Sequence, residues 1–148
     1  RREIPDIAIT TDIIVGFPGE TKEDVEETID VIKKVQFENA FTFIYSPREG
    51  TPAARMADSV SLEVKQRRLA ELNACWNQYA HVKNEAYLGK VVKVLVDGAS
   101  KKKANVWSGY TETNKLVNFT GEHVTAGDIV KVKITACKTF SLDGEQIL

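Results

Sequence analysis

Apolar positions change their spacing twice along this 148-residue chain, and the changes mark its parts. From Ile7 to Val15 the positions are mostly β-branched and apolar, with only Asp12 charged. That run suits a strand covered on both faces, as in a parallel sheet. Gly16 to Gly19 break it. Thr21 then has the side chain to cap a helix, and Asp24 imitates the partner of a capping box. Val25, Ile29, Ile32 and Val35 make the buried stripe, while Glu23, Asp24, Glu26 and Glu27 precede Lys33 and Lys34 in the order that complements a helix dipole. Ala40 to Tyr45 reads as a second strand, stopped by Pro47, Gly50 and Pro52. Strand, helix and strand with short connections predict a βαβ unit.

Met56 to Val60 reads as a loop, and Ser61 can cap a long helix from Leu62 to about Tyr87. Its apolar positions Leu62, Leu69, Leu72, Trp76 and Tyr79 recur at helical spacing, so one face is expected to be buried, with Trp76 and Cys75 in it as packing residues. At Gly89 the period changes to two. Val91–Val96, Ala104–Tyr110, Lys115–Phe119, Asp128–Ala136 and Thr139–Leu142 read as short strands, with Asp97-Gly98 as a turn. Strands this short and this closely spaced predict a small antiparallel barrel of OB-like size. The boundary falls near Glu85 to Gly89, which gives residues 1–85 and 86–148 as the two expected domains.

Composition changes this picture little. The net charge is −1, but residues 1–83 carry 11 basic and 14 acidic side chains whereas residues 84–148 carry 9 and 7, so any basic surface belongs to the C-terminal part. The two cysteines, Cys75 and Cys137, have no partners at metal-ligand spacing, so no metal site is expected, and a reduced, cytoplasmic setting fits. No apolar run approaches the roughly 20 residues of a membrane span. The N-terminus has no signal-peptide pattern and starts almost directly in a strand, as in a chain cut from a longer one.

Three places have candidate chemistry. The turn Gly16-Phe17-Pro18-Gly19-Glu20 follows a strand, where an α/β protein collects backbone amides on its ligand-facing side. The second strand ends in Tyr45-Ser46-Pro47-Arg48, whose Arg48 is either a bidentate anion partner or a surface charge. In the barrel, Lys101-Lys102-Lys103 lies in a hairpin loop near Lys90, Lys93 and Lys115, interleaved with Trp107, Tyr110 and Phe119. Lysines for phosphates and aromatic faces for bases are what single-stranded RNA recognition requires, while the bland alternative is a solubilising loop over core aromatics.

TDIIVGFPGETKEDVEET, AFTFIYSPREGTPAARM and TNKLVNFTG, in that order, resemble the C-terminal part of the tRNA methylthiotransferases of the MiaB type. These are radical S-adenosylmethionine (SAM) enzymes in which an RNA-binding TRAM barrel follows the catalytic barrel. The resemblance implies that the first 60 or so residues close a radical-SAM partial (β/α) barrel, that the long helix leads out of it, and that residues 86–148 are the TRAM domain. It implies a parent that methylthiolates C2 of N6-isopentenyladenosine beside the anticodon, with SAM and two [4Fe–4S] clusters. It places Gly16, Phe17, Pro18, Gly19, Glu20 and Tyr45 beside SAM, and Arg48, Lys90, Lys101, Lys102, Lys103, Trp107, Asn114 and Lys115 toward a tRNA anticodon stem-loop. The chain departs from the family in two ways. The CxxxCxxC cluster motif is absent, which implies a piece without catalytic competence, binding no cofactor by itself. Against the pattern Gly-x-Ile-x-Gly-x-x-Glu, Asp12 replaces the first Gly and Glu20 falls one place late. Related enzymes acting on threonylcarbamoyladenosine or a ribosomal protein, or a non-catalytic RNA-binding module, are the alternatives. A half barrel also leaves an open edge at residues 7–15, so self-association is expected.

Overall fold

In the computed structural model, which describes residues 1–100 and 105–147, the chain divides into two compact units. One is Ala8–Tyr79; the other is Ala80–Leu148 together with Arg1–Ile7.

In the first unit, strand β1 (Thr10–Val15) pairs in parallel with β2 (Asn39–Ile44), and helix α1 (Lys22–Val35) connects them. The capping box is formed: the Asp24 amide donates to Thr21 Oγ1 at 3.2 Å, and the Thr21 amide donates to Asp24 Oδ2 at 2.8 Å. Gln36, in the left-handed conformation at φ 51°, ends the helix with its amide on the Ile32 carbonyl. Val25, Ile29 and Ile32 are buried, as the stripe predicts. Residues 7–9 stay outside β1, and the expected covering of both faces is not found among the described residues. Ile14, Phe41 and Phe43 are each half exposed or more, and Ile14 faces Phe43 in register. The apolar run therefore gives one covered face and one open one. Helix α2 (Leu62–Glu85) begins at Ser61, whose hydroxyl accepts from the Val64 amide. Its buried positions in this unit are Lys65, Leu72 and Trp76, while Leu62 is exposed.

The second unit is a closed barrel of five strands, β3 (Val91–Ala99), β4 (Val106–Thr111), β5 (Leu116–Thr120), β6 (Ile129–Cys137) and β7 (Leu142–Ile147), in the order β3-β4-β5-β7-β6. It corrects the expected barrel in three respects. The β5–β7 pair is parallel, so the barrel is not wholly antiparallel. Asp97-Gly98 makes no turn: β3 runs through it, with a register shift between Val96 and Gly98 that bends the strand. The last strand starts at Leu142, where the expected one stops, and Lys138 to Ser141 form the turn before it. Val94, Val96, Val117, Phe119, Val132, Ile134 and Leu142 fill the interior, each 2% exposed or less. Two glycines make closure possible. A Cβ on Gly109 would lie 2.2 Å from the Leu95 carbonyl oxygen, and one on Gly144 would lie 2.5 Å from that of Lys133.

Candidate nucleic-acid interface

The turn after β1 is held from within. The Gly16 amide donates to Glu20 Oε2 at 2.9 Å, the Gly19 amide to Ser59 Oγ at 3.2 Å, and the Glu20 amide to the Phe17 carbonyl at 2.9 Å. Glu20 Oε1 accepts from Arg68 Nη1 at 2.7 Å, in a pair whose side chains are 12% and 13% exposed. Gly16 has φ 74°, and a Cβ there would meet Lys65 Cγ at 2.4 Å. The space its missing side chain leaves is thus filled by the stem of Lys65, whose ammonium pairs with Asp58 at 2.6 Å and sits 5.7 Å above the Tyr45 ring. Tyr45 meets Phe17 edge-on with ring centroids 5.1 Å apart, and the buried Tyr45 hydroxyl has no hydrogen-bond partner among the described residues. Pro18 is buried, whereas Phe17 presents its ring to the surface. The structure therefore brings Gly16, Phe17, Glu20 and Tyr45 together and adds Lys65, Arg68 and Asp58, which sequence reasoning missed. Only the 3- and 4-residue register of α2 could have hinted that Lys65 and Arg68 face inward.

Arg48 lies exposed in the loop after β2, with its carbonyl accepting from the Thr51 hydroxyl at 2.8 Å. It shares no unit with the barrel residues. In the barrel, Lys90 is exposed, its ammonium 5.9 Å from the Tyr87 ring centroid. Asn114 is exposed in the β4–β5 hairpin at φ 58°, a left-handed position that Asn tolerates. Lys115 departs from the surface position expected of it: it is 8% exposed, and its amide donates to Thr111 Oγ1 at 3.0 Å. Trp107 packs partly buried against the barrel core and Phe119 is inside it at 1% exposure, because a barrel this small is filled by its aromatics. Of the three aromatics only Tyr110, 42% exposed, offers a ring face. Lys101, Lys102 and Lys103 lie outside the described residues.

The barrel surface has open grooves. One of about 620 Å³ is lined by Lys93, Leu95, Tyr110, Glu112, Asn114 and Ile129 among others. Another, of about 540 Å³, is lined by Ser100, Val106, Asn118, Thr120, Lys138 and Asp143 among others, and Lys138 there is paired with Asp143 at 2.6 Å. Among the described residues no group of three or more His, Cys, Asp or Glu is placed to hold a metal ion, and no helix is long and apolar enough to cross a membrane.

The sequence has known relatives. Residues 85–147 match the TRAM domain family. Along 147 residues, 99% of its length, the chain is 54% identical to the tRNA-2-methylthio-N(6)-dimethylallyladenosine synthase of Bacillus cytotoxicus and 56% identical to that of Bacillus cereus. It is 54% identical to the synthase of Halalkalibacterium halodurans. The chain spans 27–29% of the length of these relatives. Within that span the chain is similar throughout to the tRNA-2-methylthio-N(6)-dimethylallyladenosine synthases, and residues 85–147 match the TRAM domain family.

Proposed function

We propose that the chain works within an enzyme that methylthiolates C2 of N6-dimethylallyladenosine next to the tRNA anticodon. Its own part is to hold the anticodon stem-loop through the barrel and to form one wall of the SAM site through the β1 turn. The observation that carries this is identity above 50% running through both units, with the strand-end turn and the barrel in one chain. On this reading residues 1–85 are the closing segment of a radical-SAM barrel, and the open face at Ile14, Phe41 and Phe43 is what such a segment presents inward.

The fit to the cofactors is unequal. Cys75 and Cys137 sit one in each unit and are too few for an iron–sulfur ligand set, so the chain's own residues do not fit a [4Fe–4S] cluster. For SAM the amides of Gly16, Gly19 and Glu20 are already engaged, and what remains on offer is apolar surface, chiefly the Phe17 ring. Phe17 and the turn would pack against the cofactor, which supplies the methyl group and the radical source when bound. A tRNA substrate also implies the cytoplasmic compartment that the cysteine usage fits.

The test is binding of this 148-residue chain to an anticodon stem-loop across a salt series. Binding that weakens steeply with salt is expected, and no binding at low salt overturns the RNA-holding role. The same reading leaves β1 and β2 with free edges, so concentration-dependent association is expected in sedimentation equilibrium. A monomer at every concentration removes that part of it.

A further inference from the structure

We propose that the outer face of β6, β3 and β4 is the strip on which a single-stranded RNA segment lies, with phosphates at Lys93 and Lys131 and a base on the Tyr110–Leu95–Ile129 patch. This rests on the reading that the barrel binds RNA and assigns where. The alternation of the strands creates the strip. On β3, Val94 and Val96 point inward at 0% and 2% exposure while Lys93 and Leu95 point out, and on β6 Val132 is inside while Ile129 and Lys131 are out. Pairing then lines up the outward residues. Leu95 is the cross-strand partner of both Tyr110 and Ile129, so three exposed apolar side chains, 53%, 42% and 70% accessible, are immediate neighbours. Scattered exposed apolar residues are ordinary, but a contiguous aromatic and aliphatic row in a groove is a contact surface.

The charges identify the occupant. Lys93 is the cross-strand partner of Lys131, and like charges directly opposite each other destabilise a sheet. Neither lysine takes part in an ion pair among the described residues. The next lysine along β6, Lys133, has the acidic Glu145 of β7 as a cross-strand partner, whereas Lys93 and Lys131 are opposite each other. Glu112 stands at the groove lining and works against a purely electrostatic site. An anion that also brings a flat apolar face satisfies both halves of the strip, and a nucleotide of an unpaired loop is such a group. Duplex RNA is not, since its bases are stacked inside. Asn114, exposed on the same groove, is placed to meet a base edge.

The experiment compares stem-loop binding by the full chain with that by Lys93→Gln/Lys131→Gln, Tyr110→Ala and Tyr110→Phe, with Lys33→Gln/Lys34→Gln as a charge-matched control on α1. All substituted side chains are exposed, and circular dichroism checks each fold. The lysine pair should lower the log–log salt slope by about 1.4, at about 0.7 per contact to single strands, with affinity falling about tenfold. Tyr110→Ala should lose about tenfold and Tyr110→Phe little, as stacking requires. Wild-type binding left unchanged by the strip variants overturns this assignment and leaves RNA binding by the barrel intact. Failure of the wild type to bind at low salt overturns both. Concentration-dependent association of the wild type that the strip variants abolish, with RNA affinity unmoved, makes the strip a protein interface and overturns the assignment too.

Discussion

Arg68 on α2 reaches Glu20 in the turn after β1, with Nη1 2.7 Å from the Glu20 carboxylate and 3.0 Å from its backbone carbonyl. The same carboxylate accepts the Gly16 amide, so one side chain closes the turn on itself and another ties it to the helix. Losing either partner leaves a largely buried charge without compensation. Arg68→Met or Glu20→Gln alone should destabilise the first unit by about 2–3 kcal/mol, the lower end for such pairs because both side chains keep some solvent. The double variant should recover part of that loss, because neither charge is then left alone. Urea unfolding of the three variants measures it; additive losses would show that the pair is not coupled.

Acid should loosen the start of α1. The Asp24 carboxyl is held below its ordinary value of 3.8 by the hydrogen bonds it accepts from Thr21. A depressed carboxyl stabilises the fold fully above its unfolded pKa, and the contribution is lost as pH falls through the folded value. The difference in melting temperature between wild type and Asp24→Asn should therefore hold from neutral pH down to about 4 and shrink below it. Thr21→Ala should cost about 1 kcal/mol at neutral pH. A difference that grows on acidification would reverse the sign and refute the account.

Asn84 is 1% exposed, and its amide nitrogen donates to the carbonyls of Lys138 at 2.7 Å and Thr139 at 2.9 Å. It fixes the turn before β7. Asn84→Ala leaves those carbonyls without their donor and should cost about 2 kcal/mol. Asn84→Asp should cost more at neutral pH than at pH 4, because a carboxylate facing two carbonyls is stabilised by protonation. Thermal unfolding at the two pH values distinguishes them.

The glycines of the barrel should separate sharply. Gly109→Ala puts a methyl group against the Leu95 carbonyl and should cost about 3 kcal/mol. Gly98→Ala meets nothing within 4 Å and should stay within about 1 kcal/mol of wild type. Equal effects in chemical unfolding would mean that closure does not depend on the close approach at Gly109.

Those glycines also explain where the sequence was legible. The stripe of α1, its capping box, the parallel βαβ pairing and the count of barrel strands follow from period and caps, which are local. The Asp97-Gly98 dipeptide misleads, since it carries the chemistry of a turn but lies inside β3, just as Asp143-Gly144 lies inside β7. Barrel closure is decided by residues distant in the chain, and a missing Cβ serves a close strand contact as well as it serves a turn. The site was less readable for a similar reason. TNKLVNF is a recognisable motif, yet its Lys115 and Phe119 are buried, whereas Lys93 and Lys131 lie nearly forty residues apart and become neighbours only through the β3–β6 register. Gly16 was readable as a place of close approach; that the approaching group is Lys65 was not.

The closed order β3-β4-β5-β7-β6 gives every strand of the barrel two hydrogen-bonded neighbours, whereas β1 and β2 have one each. No barrel strand can leave without breaking two ladders at once. Amide exchange in its core should then require opening of the whole unit, while β1 and β2 exchange through local fraying. The barrel is accordingly a module that is either wholly present or wholly lost, and a ligand held on its outside can feel its folding only as a switch.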